Sequence, residues 1–178
     1  MPNKPERYRL FFALRPEQEL AGQIHRATQQ PLSTCDGRHI PLEKLHITLV
    51  YYGSADAEQK ACLEQVANTI RGRPFQLELS KLGFWPKPRV AWLASNEIPE
   101  PLVRLQSDLS QALFKECGYQ AETRPYRPHL TLTRKTTRAP ETKEIDPIVW
   151  PVNRFALVQS ITRPEGAEYR VINEWPLY

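Results

Sequence analysis

A five-residue pattern occurs twice in this chain of 178 residues, as Leu45-His46-Ile47-Thr48-Leu49 and as Pro128-His129-Leu130-Thr131-Leu132, 83 residues apart. Only four histidines and eleven threonines are available, yet two of those histidines have Thr two places on and Leu one place further. Both copies read as strands, and each follows an irregular, proline-containing segment. A pattern repeated at nearly half the chain length points to two related halves. The support for that duplication consists of the motifs and of the helices expected to follow them.

The segments between turns are short. Seventeen prolines, roughly twice the usual share of about 5%, are spread along the chain as punctuation, so many short elements joined by rigid turns are expected. Strand-like runs cover Tyr8–Leu14, His46–Tyr52, Phe75–Leu82, Val90–Ser95, His129–Thr133, Val152–Ile161 and Tyr169–Pro176. Helical periodicity covers Pro16–Gln29, Ala55–Arg71 with Gly72 as its stop, and Glu100–Glu116 before Gly118. Polar, aperiodic Lys135–Pro147 reads as the most mobile stretch. Strands and helices are interspersed without strict crossover alternation, which predicts an α+β fold, mostly antiparallel, with helices packed outside the sheets. At 40% apolar and 25% charged residues, residues 1–178 suit one domain with a real core.

Several classes are disfavoured. The apolar stretches, such as Leu10–Leu14 and Leu45–Tyr52, fall far short of the about 20 residues a membrane span needs. Met1–Arg7 reads without an apolar signal region behind its charges. The cysteines Cys35, Cys62 and Cys117 are odd in number and widely spaced, which predicts reduced thiols in a cytoplasm rather than a disulfide framework. A net charge of +4 favours anionic partners without demanding them.

Side chains alternate across a strand, so His46 shares a face with Thr48, and His129 with Thr131, while Ile47, Leu49, Leu130 and Leu132 anchor the strands. If a pseudo-twofold relates the halves, two imidazoles and two hydroxyls converge. That set suits in-line displacement at phosphorus: a neutral His takes a proton, a protonated His gives one, and hydroxyls donate to the phosphoryl oxygens. Direct protonation of the leaving oxygen requires no metal or cofactor. Metal binding is the competing use of two histidines, but Glu43 stands three residues before His46 and no acid flanks His129 closely.

These motifs resemble those of the 2H phosphoesterase superfamily, and most nearly its bacterial RNA 2′,3′-cyclic phosphodiesterase group, also called 2′-5′ RNA ligases. Arg9–Leu14, Leu45–Gly53, Gly83–Leu93 and Tyr126–Arg134 carry the resemblance in family order over roughly residues 8–176. Tyr51-Tyr52-Gly53 departs from the more usual Phe-Leu-Gly. The resemblance implies a bilobal, duplicated domain in which two antiparallel sheets, backed by helices, flank a central groove. It implies metal-independent opening of RNA 2′,3′-cyclic phosphate ends to a 2′-phosphate, with reversible 2′-5′ joining as the related chemistry. His46 and His129 carry over as acid and base, and Thr48 and Thr131 as phosphate donors. Nothing in the sequence orders the two histidine roles, and His46 is taken as the acid.

Arg134 is expected on the His129 face if that strand continues, where a guanidinium can grip phosphate; a solvated strand end is its plain alternative. Tyr126 and Arg127 precede the second motif as groove-lining candidates. Phe84 and Trp85 lie in an expected loop bounded by Gly and Pro, where an aromatic can stack a base, or else pack in the core. His39 falls in a loop four residues after Cys35, and His25 on a helix surface. The expected partner is RNA ending in a 2′,3′-cyclic phosphate, bound by a cytoplasmic monomer. A non-catalytic RNA-binding module, or hydrolysis of another cyclic or 2′-5′ linked nucleotide, remains the alternative.

Overall fold

The computed structural model describes residues 6–178; the first five residues, part of the stretch read above as free of an apolar leader, lie outside that range. In chain order the elements are β1 (Tyr8–Leu14), α1 (Gln18–Thr28), β2 (Arg38–His39), β3 (Ile47–Ala55), α2 (Ala57–Thr69), β4 (Phe75–Trp85), β5 (Val90–Ser95), α3 (Glu100–Cys117), β6 (Leu130–Arg134), β7 (Glu144–Val152), β8 (Arg154–Arg163) and β9 (Gly166–Pro176). Short 3₁₀ turns at Pro31–Thr34 and Leu42–Lys44 lead into β2 and β3. The expected Val152–Ile161 strand divides at Asn153 into the end of β7 and the start of β8.

The fold is α+β. Its strands run β7-β4-β5-β6-β3-β1-β8-β9, every neighbouring pair antiparallel, with β2 added on β6. That order mirrors about its centre: β3 matches β6, β1 matches β5, β8 matches β4 and β9 matches β7. The two expected sheets are therefore the two flanks of one continuous sheet. They meet where Ile47 of β3 pairs with Leu130 of β6. These residues are 83 apart, the same offset as the motifs, so the local twofold passes through that pair. Helix α1 links β1 to β3 as α3 links β5 to β6. The matching helices thus precede the motifs. This corrects the expectation of a helix after each: α2 follows the first motif, but the second runs through residues 135–143 into β7.

The helices form where sequence periodicity and caps agree. Leu102, Leu105, Leu109, Leu113 and Cys117 give α3 one buried stripe, and Gly118 ends it at φ 66°, a conformation that suits a residue without Cβ. Asp56 caps α2 by accepting from the Gln59 backbone while the Gln59 side chain accepts from the Asp56 backbone, and the helix stops at Thr69, short of Gly72. Helix α1 lies against β7 in the opposite half, and α3 lies against β3. One apolar core accordingly runs through both halves, from Leu10, Phe12 and Leu14 to Leu77, Leu93 and Leu130. No helix of the described residues is long and apolar enough to cross a membrane.

Two local expectations are corrected. Cys62 and Cys117 form a disulfide, with Cα atoms 5.8 Å apart, because α2 packs on α3 and brings together residues 55 apart in sequence. Linear spacing carries no trace of that. Cys35 remains free and buried. The 135–147 stretch is tied down: Thr136 is fully buried, Asp36 accepts from the side chains of Thr136 and Thr137 and from the Thr137 backbone, and β7 already begins at Glu144. These donors hold the Asp36 carboxyl far below the ordinary carboxylate range.

Candidate active site

The seam between β3 and β6 carries both motifs. Continuing the Ile47–Leu130 register sets His46 opposite Thr131 and Thr48 opposite His129. Ile47 and Leu130 turn into the core, so all four polar side chains stand on the other face, each partly exposed. Each motif then meets a β-bulge. Against β1, Thr48 pairs with Ala13 and Val50 with Phe12, leaving Leu49 as the extra residue. Against β5, Thr131 pairs with Trp92 and Thr133 with Ala91, leaving Leu132 extra. The bulges fall at equivalent positions and bury two consecutive residues each, Leu49 with Val50 and Leu132 with Thr133.

The second bulge determines where Arg134 goes. Strict alternation from His129 turns Arg134 to the core side with Leu130 and Leu132, so strand continuation alone does not give the placement expected above. The added residue shifts the phase by one, and Arg134 returns to the motif face. Its charge there opposes protonation of both His46 and His129. The equivalent residue in the first half, 83 earlier, is Tyr51, paired with Phe11 and half-exposed. Tyr51 was legible from the repeat offset, but only if both bulges were known.

The histidines are held alike. His46 Nδ1 lies 2.8 Å from the Lys44 carbonyl oxygen, and His129 Nδ1 lies 2.9 Å from that of Arg127. A carbonyl can only accept, so each Nδ1 carries the proton and each Nε2 is left for chemistry. His46 sits against Phe11 at 5.0 Å and edge-on to Tyr169 at 5.3 Å between ring centroids. Phe11, Ala13, Ala156 and Val158 form a small apolar layer beneath it, covered in part by Tyr169 and Val171. Burial lowers the His46 pKa to about 4, and the Arg134, Arg15 and His129 charges push the same way, against a weaker lift from the Lys44 carbonyl. Burial likewise lowers that of His129.

On the second half, His129 stands edge-on to Trp85 at 4.6 Å, and Trp85 leans on Trp92 at 5.1 Å. Trp92 lies across the strand pair from Gly83, where a Cβ would come within 2.0 Å of the indole. Gly83 is thus the seat of a pair of tilted tryptophans, one of which stands against the His129 ring. We expect Gly83→Ala to displace Trp92 and Trp85 and to lower turnover at His129 by on the order of 10- to 10²-fold, since small misplacements of reacting groups carry costs of that size. Near-ultraviolet circular dichroism of the tryptophans, followed alongside kcat, checks this; an unchanged kcat with altered tryptophan signals would disconnect the pair from the site.

Other candidates sort as follows. Phe84 and Trp85 end β4 rather than forming a loop, because their pairing with Ala91 and Val90 extends the strand. Phe84 therefore faces away from Trp85, on the side of buried Ala91, and leaves the site. Tyr126 donates to the Thr48 carbonyl oxygen at 2.9 Å, so the second half braces the first motif, and burial raises its phenol pKa. The Arg127 side chain is exposed, and its backbone carbonyl holds His129. His39 belongs to β2 and pairs with Thr133, whose hydroxyl lies 3.2 Å from its Nδ1. His25 is exposed on α1. Among the described residues, no group of three or more His, Cys, Asp or Glu side chains is placed to hold a metal ion. Sequence reasoning missed Phe11, Tyr169 and Trp92. Of these only Phe11 had a signal, its alternation with core residues Leu10 and Phe12 in β1.

Comparison with known proteins places this arrangement. The family model described as the 2′-5′ RNA ligase superfamily matches residues 16–163. A protein of Escherichia coli named RNA 2′,3′-cyclic phosphodiesterase is 35% identical over 97% of this chain and 98% of its own length. One of the same name from Thermus thermophilus is 28% identical over 95% of this chain and 90% of its own. The crystal structure of E. coli LigT complexed with 3′-AMP superposes with a TM-score of 0.87 at 30% identity, covering 97% of this chain and 99% of LigT. The family match over residues 16–163, 35% identity to a relative and near-complete mutual coverage lead to one conclusion: the chain belongs to the 2′-5′ RNA ligase superfamily.

Proposed function

We propose that this protein is an RNA 2′,3′-cyclic phosphodiesterase, opening the cyclic end to a 2′-phosphate with His46, His129, Thr48 and Thr131 as its working groups. The observation that carries the reading is the single face shared by two His–Thr pairs whose imidazole Nε2 atoms are both free. The names of its relatives in E. coli and T. thermophilus support it. In the forward step a water oxygen bonds to phosphorus as the P–O3′ bond breaks. One imidazole takes the water proton, and the other gives a proton to O3′. Thr48 and Thr131 donate to the non-bridging oxygens, and Arg134 neutralises their charge. Substituting a ribose hydroxyl for water gives the joining chemistry.

The two histidines are not equivalent. Burial keeps His46 in its neutral form to lower pH, so we give it the base role and His129 the acid role. This assignment is the opposite of the one taken from sequence. Both motifs come from one chain, which supports action as a monomer, and an RNA substrate suits the expected cytoplasmic setting. The step as written needs no metal, since the imidazoles move both protons.

The test is incubation with a short RNA ending in a 2′,3′-cyclic phosphate in excess EDTA, with the product read by phosphorus NMR. A 2′-phosphate is expected. A 3′-phosphate, or binding without turnover, would overturn the reading in favour of another regiochemistry or a binding module.

The pH profile follows from the two shifts. The base must be neutral, so kcat/KM rises with pH through the lower pKa; the acid must be protonated, so it falls through the higher one. Both free-enzyme values lie below the ordinary 6.5. The kcat/KM bell should therefore peak on the acid side of 6.5. The kcat bell should move upward, because bound phosphate stabilises imidazolium. A kcat/KM profile level from pH 5 to 9 would contradict this assignment.

A further inference from the structure

Two cavities of similar size open on the described residues. One, of about 340 Å³, lies between Arg71, Arg73, Arg104 and the chain end and touches neither motif. The other, of about 320 Å³, lies beside the residues that hold His46. Its wall includes Lys44, whose carbonyl holds His46, and Tyr169, whose ring meets the His46 edge. Arg163, Glu165 and Gly166 of the β8–β9 turn line it. Gly166 sits there at φ 126°, and a Cβ on it would come 3.9 Å from the Arg38 guanidinium on β2. The turn belongs to the first half and β2 is paired to the second, so the hairpin tip lies near a side chain of the other half's sheet.

The chemistry around this space is mixed in a specific way. Arg15, Lys44 and Arg163 line it, and Arg38 stands at the rim. Of the three carboxylates on the wall, Glu168 is already held by Arg163 at 2.8 Å and Arg170 at 3.2 Å. Glu43 and Glu165 have no ion pair among the described residues. Arg15 spends one donor on the Glu43 carbonyl at 2.9 Å, and a guanidinium has five. Cations fit phosphate oxygens, free carboxylates fit amino and hydroxyl hydrogens, and the Tyr169 ring offers a flat apolar face. A ribonucleotide carries all three complements, and the volume is within the range of small-ligand pockets.

We propose that this cavity binds the ribonucleotide segment that flanks the reacting phosphate, on the His46 side of the groove. The proposal rests on the reading of the site as an RNA phosphodiesterase. Two sources share this chemistry: the upstream part of the strand that bears the cyclic end, or the 5′-hydroxyl end of a second strand entering to be joined.

The experiment compares wild type with Arg163→Ala and Arg163→Lys. Arg163 is exposed and its ion pair with Glu168 contributes little to folding. Three reactions are followed in each: opening of a 2′,3′-cyclic mononucleotide, opening of a hexanucleotide with the same end, and joining of that hexanucleotide to an RNA with a 5′-hydroxyl. Opening of the mononucleotide should be unchanged. Loss of about 5- to 10-fold in both reactions of the hexanucleotide, opening and joining, with a salt slope shallower by about one, assigns the cavity to the upstream strand. The same loss confined to joining assigns it to the second strand. Arg163→Lys should restore part of either loss. Wild-type behaviour of Arg163→Ala in all three reactions overturns the proposal. Failure of the wild type to open the mononucleotide overturns the functional reading instead. Equilibrium binding of a fluorescent hexanucleotide 2′-phosphate then decides the cavity, equal affinities for wild type and Arg163→Ala counting against it.

Discussion

Replacing His46 or His129 with Ala should each lower turnover of a 2′,3′-cyclic phosphate by on the order of 10²- to 10⁴-fold, the usual contribution of a positioned general acid or base. The two losses should not multiply in the double variant, because acid and base serve one transition state. Each should also erase a different limb of the pH profile. Without His46 the rise on the acid side disappears, since no base remains to be deprotonated. Without His129 the fall on the alkaline side disappears, since no acid remains to lose its proton. Both histidines are partly exposed, and their ring contacts are few, Phe11 and Tyr169 for His46 and Trp85 for His129, so the fold should survive. Steady-state kinetics across pH, with circular dichroism as the control for folding, measures all of this. Turnover near wild type in either variant would remove that histidine from the mechanism, and erasure of the opposite limbs would restore the role order first taken from sequence.

The second large effect concerns the hydroxyls. Thr48→Val and Thr131→Val keep the β-branched shape that suits a strand and delete one donor each. Each should lower kcat by on the order of 10²-fold, as loss of an oxyanion donor does, with a smaller change in KM. The register sets each Thr beside the histidine of the other half, Thr131 by His46 and Thr48 by His129. A double-mutant cycle between Thr131→Val and His46→Ala should accordingly show stronger coupling than one between Thr131→Val and His129→Ala. Unchanged kcat in both single variants would assign these hydroxyls to strand structure.

Much of this site was legible in the linear chain because its parts are local. A His–Thr pair two residues apart shares a strand face whatever surrounds it, and a repeated pair implies two such faces. The helices at α2 and α3 were legible for the same reason, through caps and a stripe of leucines. Reading failed wherever distant segments decided the result. Phe84 and Trp85 looked like a loop because Gly and Pro flank them, but β5 pairs with them and extends β4. Residues 135–147 looked mobile because they are polar, but Asp36, a hundred residues away, satisfies their donors. Cys62 and Cys117 looked unrelated until α2 and α3 packed together.

The sequence by itself determined the α+β class, the repeated motif and the strand face that each His–Thr pair shares, since period-two alternation and a repeat offset are properties of the chain alone; the β3–β6 pairing brought the two pairs onto one face. Only the tertiary structure decided what those groups feel and what surrounds them. The bulges at Leu49 and Leu132 decide that Arg134 faces the site, and they arise from pairing with β1 and β5. The depth of His46 decides its lowered pKa, and that depth is made by Phe11 and Tyr169 from strands far apart in sequence. The cavity beside the residues that hold His46 exists because the β8–β9 turn comes to lie near Arg15 and Lys44. Local geometry is encoded residue by residue, whereas solvent exclusion and electrostatic environment depend on every segment that packs nearby.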